Sequence, residues 1–379
     1  MNRNTQNGEP KQIDSQQLKR TLVTPHMEEP ILPGKNLIYC STFQIAWNEL
    51  QENLIKEEVR LSGAPRMAEL LNKQVSTRND LSEDCYLATA GGFTPEFVDR
   101  LHKALKDKFG EEAPPKLQAS IPESLKPFLA YAYLYKNLQF PTEFESLPWP
   151  MGFRSGEETT GVEAFGISGD GSGEQDAKLR KQVLVIDAPA SPFDFFDIKD
   201  EDEDDDSPEA KLLRQIFPKK DSAGSRKQRD IILQLKCKSE DDEMIVALIE
   251  PEDSLIGTIQ AVMERVSNSE PSAMREGDRL KIPKLDFNVD HSFEELTNRP
   301  LENEGWEDWF IGLALQWIRF RLTEKGALLK SEAKILKLTG LPLIYAFDKP
   351  FLIYLRQEGA KYPYFCMWVD NDELMLKAR

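Results

Sequence analysis

Residues Phe128–Tyr135 read FLAYAYLY, an uncharged run of apolar and aromatic side chains. So short a run suits a buried strand. Further strand signals follow it along the chain. Val183–Ile186 is apolar, and Asp230–Cys237 sets Ile232, Leu233 and Leu235 against polar neighbours. Met244–Ile249 is closed by the turn Glu250-Pro251-Glu252-Asp253. In Leu280–Phe287, the residues Leu280, Ile282, Lys284 and Asp286 fall on one parity, and Pro283 points to an edge or a bulge. Trp317–Leu322 alternates cleanly, and Phe351–Leu355 and Tyr364–Val369 form a last pair around a polar turn near Gln357–Lys361. Cys85–Thr89 is an earlier strand candidate.

The helical signals concentrate in the first third. Ala46–Ile55 carries Trp47, Leu50 and Leu54 on one face, and Met67–Leu71 continues the helical part. Thr94 fits an N-cap and Pro95 the first helical position, with Phe97, Leu101 and Leu105 following and an end expected at Lys108–Gly110. Ile256–Val266 reads as a later helix and Trp306–Leu315 as amphipathic. Strands and helices do not alternate regularly, which argues against a doubly wound parallel sheet and for a multi-sheet α+β domain.

At 379 residues and a net charge of −17, the chain can build a substantial core and disfavours nucleic acid, whose phosphates need clustered Lys and Arg. The excess of acid favours solubility and basic partners. Cys40, Cys85, Cys237 and Cys366 are scattered and form no CxxC pair. The first twenty residues show no apolar leader, and no stretch is long and apolar enough to span a bilayer. The expectation is therefore free thiols, a cytoplasmic location and no membrane partner. Residues 1–33 read as a flexible polar tail and 34–379 as one domain. An acidic, disordered insertion at 197–209 is centred on Asp200–Asp206, whose like charges repel. Gly166–Gly173 lacks the Lys-Ser/Thr of a phosphate loop and reads as an exposed turn.

Catalytic signals are lacking. His26 falls in the tail, His102 on the helix after Pro95, and His291 beside Asp290 in an expected turn. None lies in a metal-ligand spacing, and adjacent side chains such as Asp290 and His291 rarely make triad geometry. No GxSxG elbow occurs. No catalytic residue, metal or cofactor is expected.

The C-terminal residues Phe347-Asp348-Lys349-Pro350-Phe351, with the strand closing on Arg356 and the second strand Tyr364–Val369, resemble the ending of the serpins, the serine protease inhibitor superfamily. Gly34-Lys35-Asn36-Leu37-Ile38, Leu87–Leu105, Tyr131–Phe144, Met244–Pro251, Leu280–Phe287 and Trp317–Gly326 resemble further family segments in the same order. The resemblance implies an α+β fold with a large central, mostly antiparallel sheet, smaller sheets and about eight or nine helices. It implies a reactive-loop-like segment at 326–346. The hinge of that segment comprises Glu324, Lys325, Gly326, Ala327, Leu328, Leu329 and Lys330, and the scissile position falls at Gly340-Leu341.

Three departures bear on function. Serpins inhibit by inserting the cleaved loop into a sheet. The register assigned to the family here turns Leu328, Lys330, Glu332 and Lys334 inward, and burying such charges is costly. Cys40-Ser41-Thr42 stands where the family has a Ser-Pro helix start, and Tyr131 and Gln139 or Phe140 replace its central-strand asparagine and tryptophan. The expectation is a non-inhibitory serpin-like protein, not an enzyme, that binds another protein, a protease being one candidate. The alternatives are an active serine or cysteine protease inhibitor with 326–346 as bait, and an unrelated α+β enzyme.

Overall fold

A computed structural model describes residues 5–6, 9–10, 12–117, 125–168, 174–188, 230–325 and 342–378. Strands and helices are numbered in chain order. The sheet that carries the apolar run has five strands, in the order β3 (Ile13–Asp14), β17 (Leu285–Ser292), β18 (Trp309–Leu322), β7 (Lys126–Asn137) and β6 (Tyr86–Gly92). β17 runs antiparallel to β18, and β6 to β7. The central pair, β7 and β18, is parallel.

The largest sheet has eight strands. Its order is β15 (Ser272–Ala273), β12 (Val183–Asp187), β13 (Ile231–Lys236), β14 (Asp242–Leu248), β20 (Phe351–Gln357), β21 (Phe365–Val369), β5 (Asn36–Cys40) and β4 (Thr21–Thr24). All its neighbours are antiparallel except β4 and β5. A four-stranded sheet joins β19 (Ile344–Ala346), β16 (Arg279–Pro283), β11 (Ala164–Ile167) and β8 (Glu145–Ser146). β9 (Met151–Ser155) and β10 (Glu158–Val162) form a hairpin, as do β1 (Thr5–Gln6) and β2 (Glu9–Pro10).

Period-2 geometry explains the layering. Phe128, Ala130, Ala132 and Leu134 of β7, with Ala314, Ile318, Phe320 and Leu322 of β18, enter the central core that the two large sheets share. The opposite parity, Leu129, Tyr131, Tyr133, Leu315 and Trp317, is buried beneath α3 (Pro95–Phe109). The far face of the eight-stranded sheet is covered by α5 (Leu255–Asn268). α1 (Thr42–Glu49) is buried in the central core through Phe43, Ile45, Ala46 and Trp47. α2 (Arg66–Leu71) and α4 (Glu174–Lys181) are short. Both faces of β7 are thus covered, which is why its sequence shows no polar parity.

Several expectations are met. Thr94 caps α3 by accepting from the Phe97 amide at 3.3 Å, with Pro95 in the first turn. β20 and β21 pair as the C-terminal hairpin. All four cysteines are free and buried.

Other expectations need correction. Five α-helices are present among the described residues, not eight or nine. The segment expected as a tail to residue 33 is docked from residue 12. β3 pairs with β17, β4 pairs with β5, and Ser15, Thr21, Thr24 and Met27 are buried. Side-chain and backbone donors both anchor it: the Gln12 side chain donates to Asp290 at 2.8 Å, and the Lys19 and Arg20 backbone amides donate to the Glu373 carboxylate at 2.8 and 2.9 Å.

Leu280–Phe287 is not one strand. β16 and β17 belong to different sheets, and Pro283 ends the first of them. Trp306–Leu315 contributes to a single long strand with Trp317–Leu322, interrupted by a bulge between Ile311 and Leu313. Gly312 is the bulged residue, and a side chain there would meet Pro127 Cβ at 2.5 Å. Gly166 and Ile167 are strand, not exposed turn, because Gly166 lets β11 approach β16 where an added Cβ would stand 1.9 Å from Leu280 O. His291 lies in β17 and not in a turn, and it shares a 2.7 Å hydrogen bond with Ser15 Oγ. The acidic insertion at 197–209 lies outside the described residues.

Candidate functional site

The parallel seam between β7 and β18 lies inside the five-stranded sheet. It is closed along its length, from Trp309 opposite Lys126 to Arg321 opposite Asn137. Beyond the strand ends the closure continues, with the Leu138 amide donating to Arg321 O at 3.1 Å and the Phe144 amide to Glu324 O at 2.9 Å. Antiparallel pairing is slightly more stable per residue than parallel.

Midway along the seam stands Gln316, fully buried and opposite Ala132. Its Nε2 donates to Cys40 O and to Thr42 Oγ1, each at 3.1 Å, tying β18 to the start of α1. Burial pushes the Cys40 thiol up to about 11 and keeps it protonated. Composition gives no hint of this latch. The usable signal is a glutamine among Ala314, Ile318, Phe320 and Leu322, the otherwise apolar core parity of β18.

The two ends of the segment 326–341 are held by different means. At the first end, the Lys284 ammonium reaches Glu324 at 2.8 Å, Ser146 Oγ at 2.8 Å and Glu163 at 3.6 Å. Burial, the largest single influence, would raise the Glu324 carboxyl, but the hydrogen bonds from Lys284 and its own backbone amide, with the charges of Lys284 and Lys325, together leave it below its ordinary value. At the other end, the buried Asp278 carboxylate accepts from the Leu343 amide at 2.8 Å and the Tyr345 hydroxyl at 3.4 Å, and β19 runs parallel to β16. Residues 342–346 of the expected loop are therefore an anchored extension and strand. Nothing in the sequence marks Asp278 as an anchor, and Lys284 shows there only as a charge on the parity of Leu280, Ile282 and Asp286.

Of the hinge residues, Glu324 and Lys325 lie at the exit of β18. Gly326, Ala327, Leu328, Leu329 and Lys330, and the scissile pair Gly340 and Leu341, lie outside the described residues. The C-terminal motif is brought together. Phe347 and Phe351 are buried with ring centroids 5.4 Å apart, and Pro350 precedes β20. Arg356 pairs across the sheet with Glu243 at 2.6 Å. Of the histidines, His291 meets the Ser15 hydroxyl at 2.7 Å, and no cluster of metal-ligating side chains occurs among the described residues.

These layers, with a parallel central pair and a C-terminal hairpin inside the largest sheet, are those of the serpin fold. Mouse protein-Z dependent protease inhibitor superposes with a TM-score of 0.51 at 13% identity, over 89% of this chain and 91% of that one. Native protease nexin-1 with heparin gives 0.48 at 10% identity, over 89% and 92%. Serpin48 of the insect Tenebrio molitor gives 0.48 at 11%, also over 89% and 92%. No family model and no curated protein matches the sequence.

Proposed function

We propose that this serpin-fold chain acts by binding another protein and does not inhibit proteases through loop insertion. The observation that carries the reading is that both faces of the β7–β18 seam are packed. A four-residue turn over 323–326 would bring Lys330 opposite Arg319, Glu332 opposite Trp317 and Lys334 opposite Leu315. These are the positions beneath α3, where Leu315, Trp317, Tyr131 and Tyr133 are all buried. A three-residue turn would bring the same charges opposite Ile318, Gln316 and Ala314, on the central-core face. An even-length turn and an odd-length turn thus both set charge against buried surface. Each unpaired charge buried in this way costs several kcal/mol. The penalty therefore arises in either register.

The experiment is limited proteolysis between Leu336 and Leu343 followed by thermal unfolding. The melting temperature of the cleaved protein is expected to stay within a few degrees of the intact one. A rise of tens of degrees would overturn the reading.

One observation favours a second reading, inhibition of a serine or cysteine protease. The seam is the parallel pair of its sheet, and insertion would replace it with two antiparallel ladders. An SDS-stable covalent complex with a protease would establish that alternative. The free, buried cysteines support a reducing, cytoplasmic setting.

A further inference from the structure

Where β7 ends, the turn between β13 and β14 and the carboxyl end of α3 enclose a cavity of about 450 Å³. Sites for small molecules typically measure roughly 300–1,000 Å³. Three lysines line it, Lys108, Lys136 and Lys238, and their situations differ. Lys136 is committed: Asp242 holds its ammonium, which also lies 5.6 Å from the Tyr364 ring centroid. Lys108 and Lys238 have no carboxylate within ion-pair distance among the described residues. The Lys108 ammonium lies over two rings, 5.6 Å from the Tyr86 centroid and 5.8 Å from that of Phe109. With Asp242 occupied by Lys136, the lining leaves two uncommitted ammonium groups against Asp84. That is a local cationic excess in a chain of net charge −17.

The rest of the wall is selective as well. Phe109 and Tyr135 present rings whose centroids are 6.3 Å apart, so a flat ligand would meet aromatic surface. The Asn137 side-chain oxygen, also in the lining, is buried and receives no hydrogen bond. A buried acceptor left without a donor is costly, and a ligand N–H or O–H would relieve it.

We propose that this cavity binds a small aromatic anion carrying a hydrogen-bond donor. The ring packs on Phe109 and Tyr135, the anionic group lies between Lys108 and Lys238, and the donor reaches Asn137 Oδ1. The cavity takes Tyr135, Lys136 and Asn137 from the β7 side of the seam, and the proposal concerns the chain with that seam closed.

The probe is 8-anilinonaphthalene-1-sulfonate, which combines fused and single rings, a sulfonate and a secondary amine, titrated by fluorescence into the full-length folded chain. Saturable one-to-one binding is expected. It should weaken at least tenfold in Lys108→Ala/Lys238→Ala, and the uncharged N-phenyl-1-naphthylamine should bind at least tenfold more weakly than the sulfonate. Cys85 and Cys237 line the same cavity and are 6% and 9% exposed, whereas Cys40 and Cys366 are at 0%. The dye should slow N-ethylmaleimide labelling of the first two cysteines and leave the second two unchanged, a readout that is independent of the lysine variants. Failure of the sulfonate to bind, equal affinity of the neutral analogue or of the double variant, or the absence of protection at Cys85 and Cys237 would each overturn the proposal.

Discussion

His291 illustrates how one side chain ties an apparently dispensable segment to the body. It sits in β17, shares its Nδ1 hydrogen bond with Ser15, and packs against Phe293 at 4.6 Å between ring centroids. Burial lowers it to about 4, although Asp14 and Glu294 pull the other way. In the unfolded chain it titrates near 6.5. Between these values the unfolded chain holds a proton that the folded chain does not. The stability contributed by neutral His291 is therefore complete above pH 6.5 and is lost as the pH falls toward 4. We expect a loss of about 2 kcal/mol across that window. His291→Gln should flatten the decline when urea midpoints are compared at pH 7 and 4.5, and an unchanged decline would refute the assignment. Gly166 is a second such residue. Gly166→Ala should separate β11 from β16 and cost about 1–3 kcal/mol, read as a lower urea midpoint.

Among the elements, legibility followed how locally each one is specified. α3 could be read because Thr94, Pro95 and the Phe97–Leu101–Leu105 spacing lie within a dozen residues of one another. β20 and β21 could be read because both are apolar and separated by a polar turn. β18 is not legible as one strand because the bulge at Gly312 breaks its alternation, and only in the structure does β7 pair with it on both sides of that bulge. β3 is too short to read, with only Ile13 and Asp14, and the β-branched Thr21–Thr24 of β4 is a four-residue signal inside a polar stretch. Their pairing partners lie far along the chain in β17 or beyond an intervening turn in β5. At the site, the motif from Phe347 to Arg356 was legible. The Gln316 latch was not, because its partners Cys40 and Thr42 lie more than 270 residues away. Gln316→Met keeps the length of that side chain and removes both donors to the start of α1. It should destabilise the protein by about 1–3 kcal/mol and speed amide exchange along β7 and β18. Unchanged exchange would mean that the latch does not restrain the seam.

On the scale of the whole molecule, the stretch from residue 12 to 33 covers the last strand of both large sheets, β17 on one and β5 on the other. Uncovered strand edges invite pairing with other chains. Removing residues 1–17 should therefore produce dimers or larger species, detected by light scattering at neutral pH. A deletion variant that stays monomeric would show that β17 needs no cover. The other end of the chain has the opposite relation to its sheet. β20 and β21 are interior strands of the eight-stranded sheet, flanked by β14 and β5, and they follow the 326–341 segment in sequence. A nick in that segment therefore cannot shed the piece behind it. It would convert one polypeptide into two that part only when boiled in detergent, and an assay that watches the native particle would record nothing.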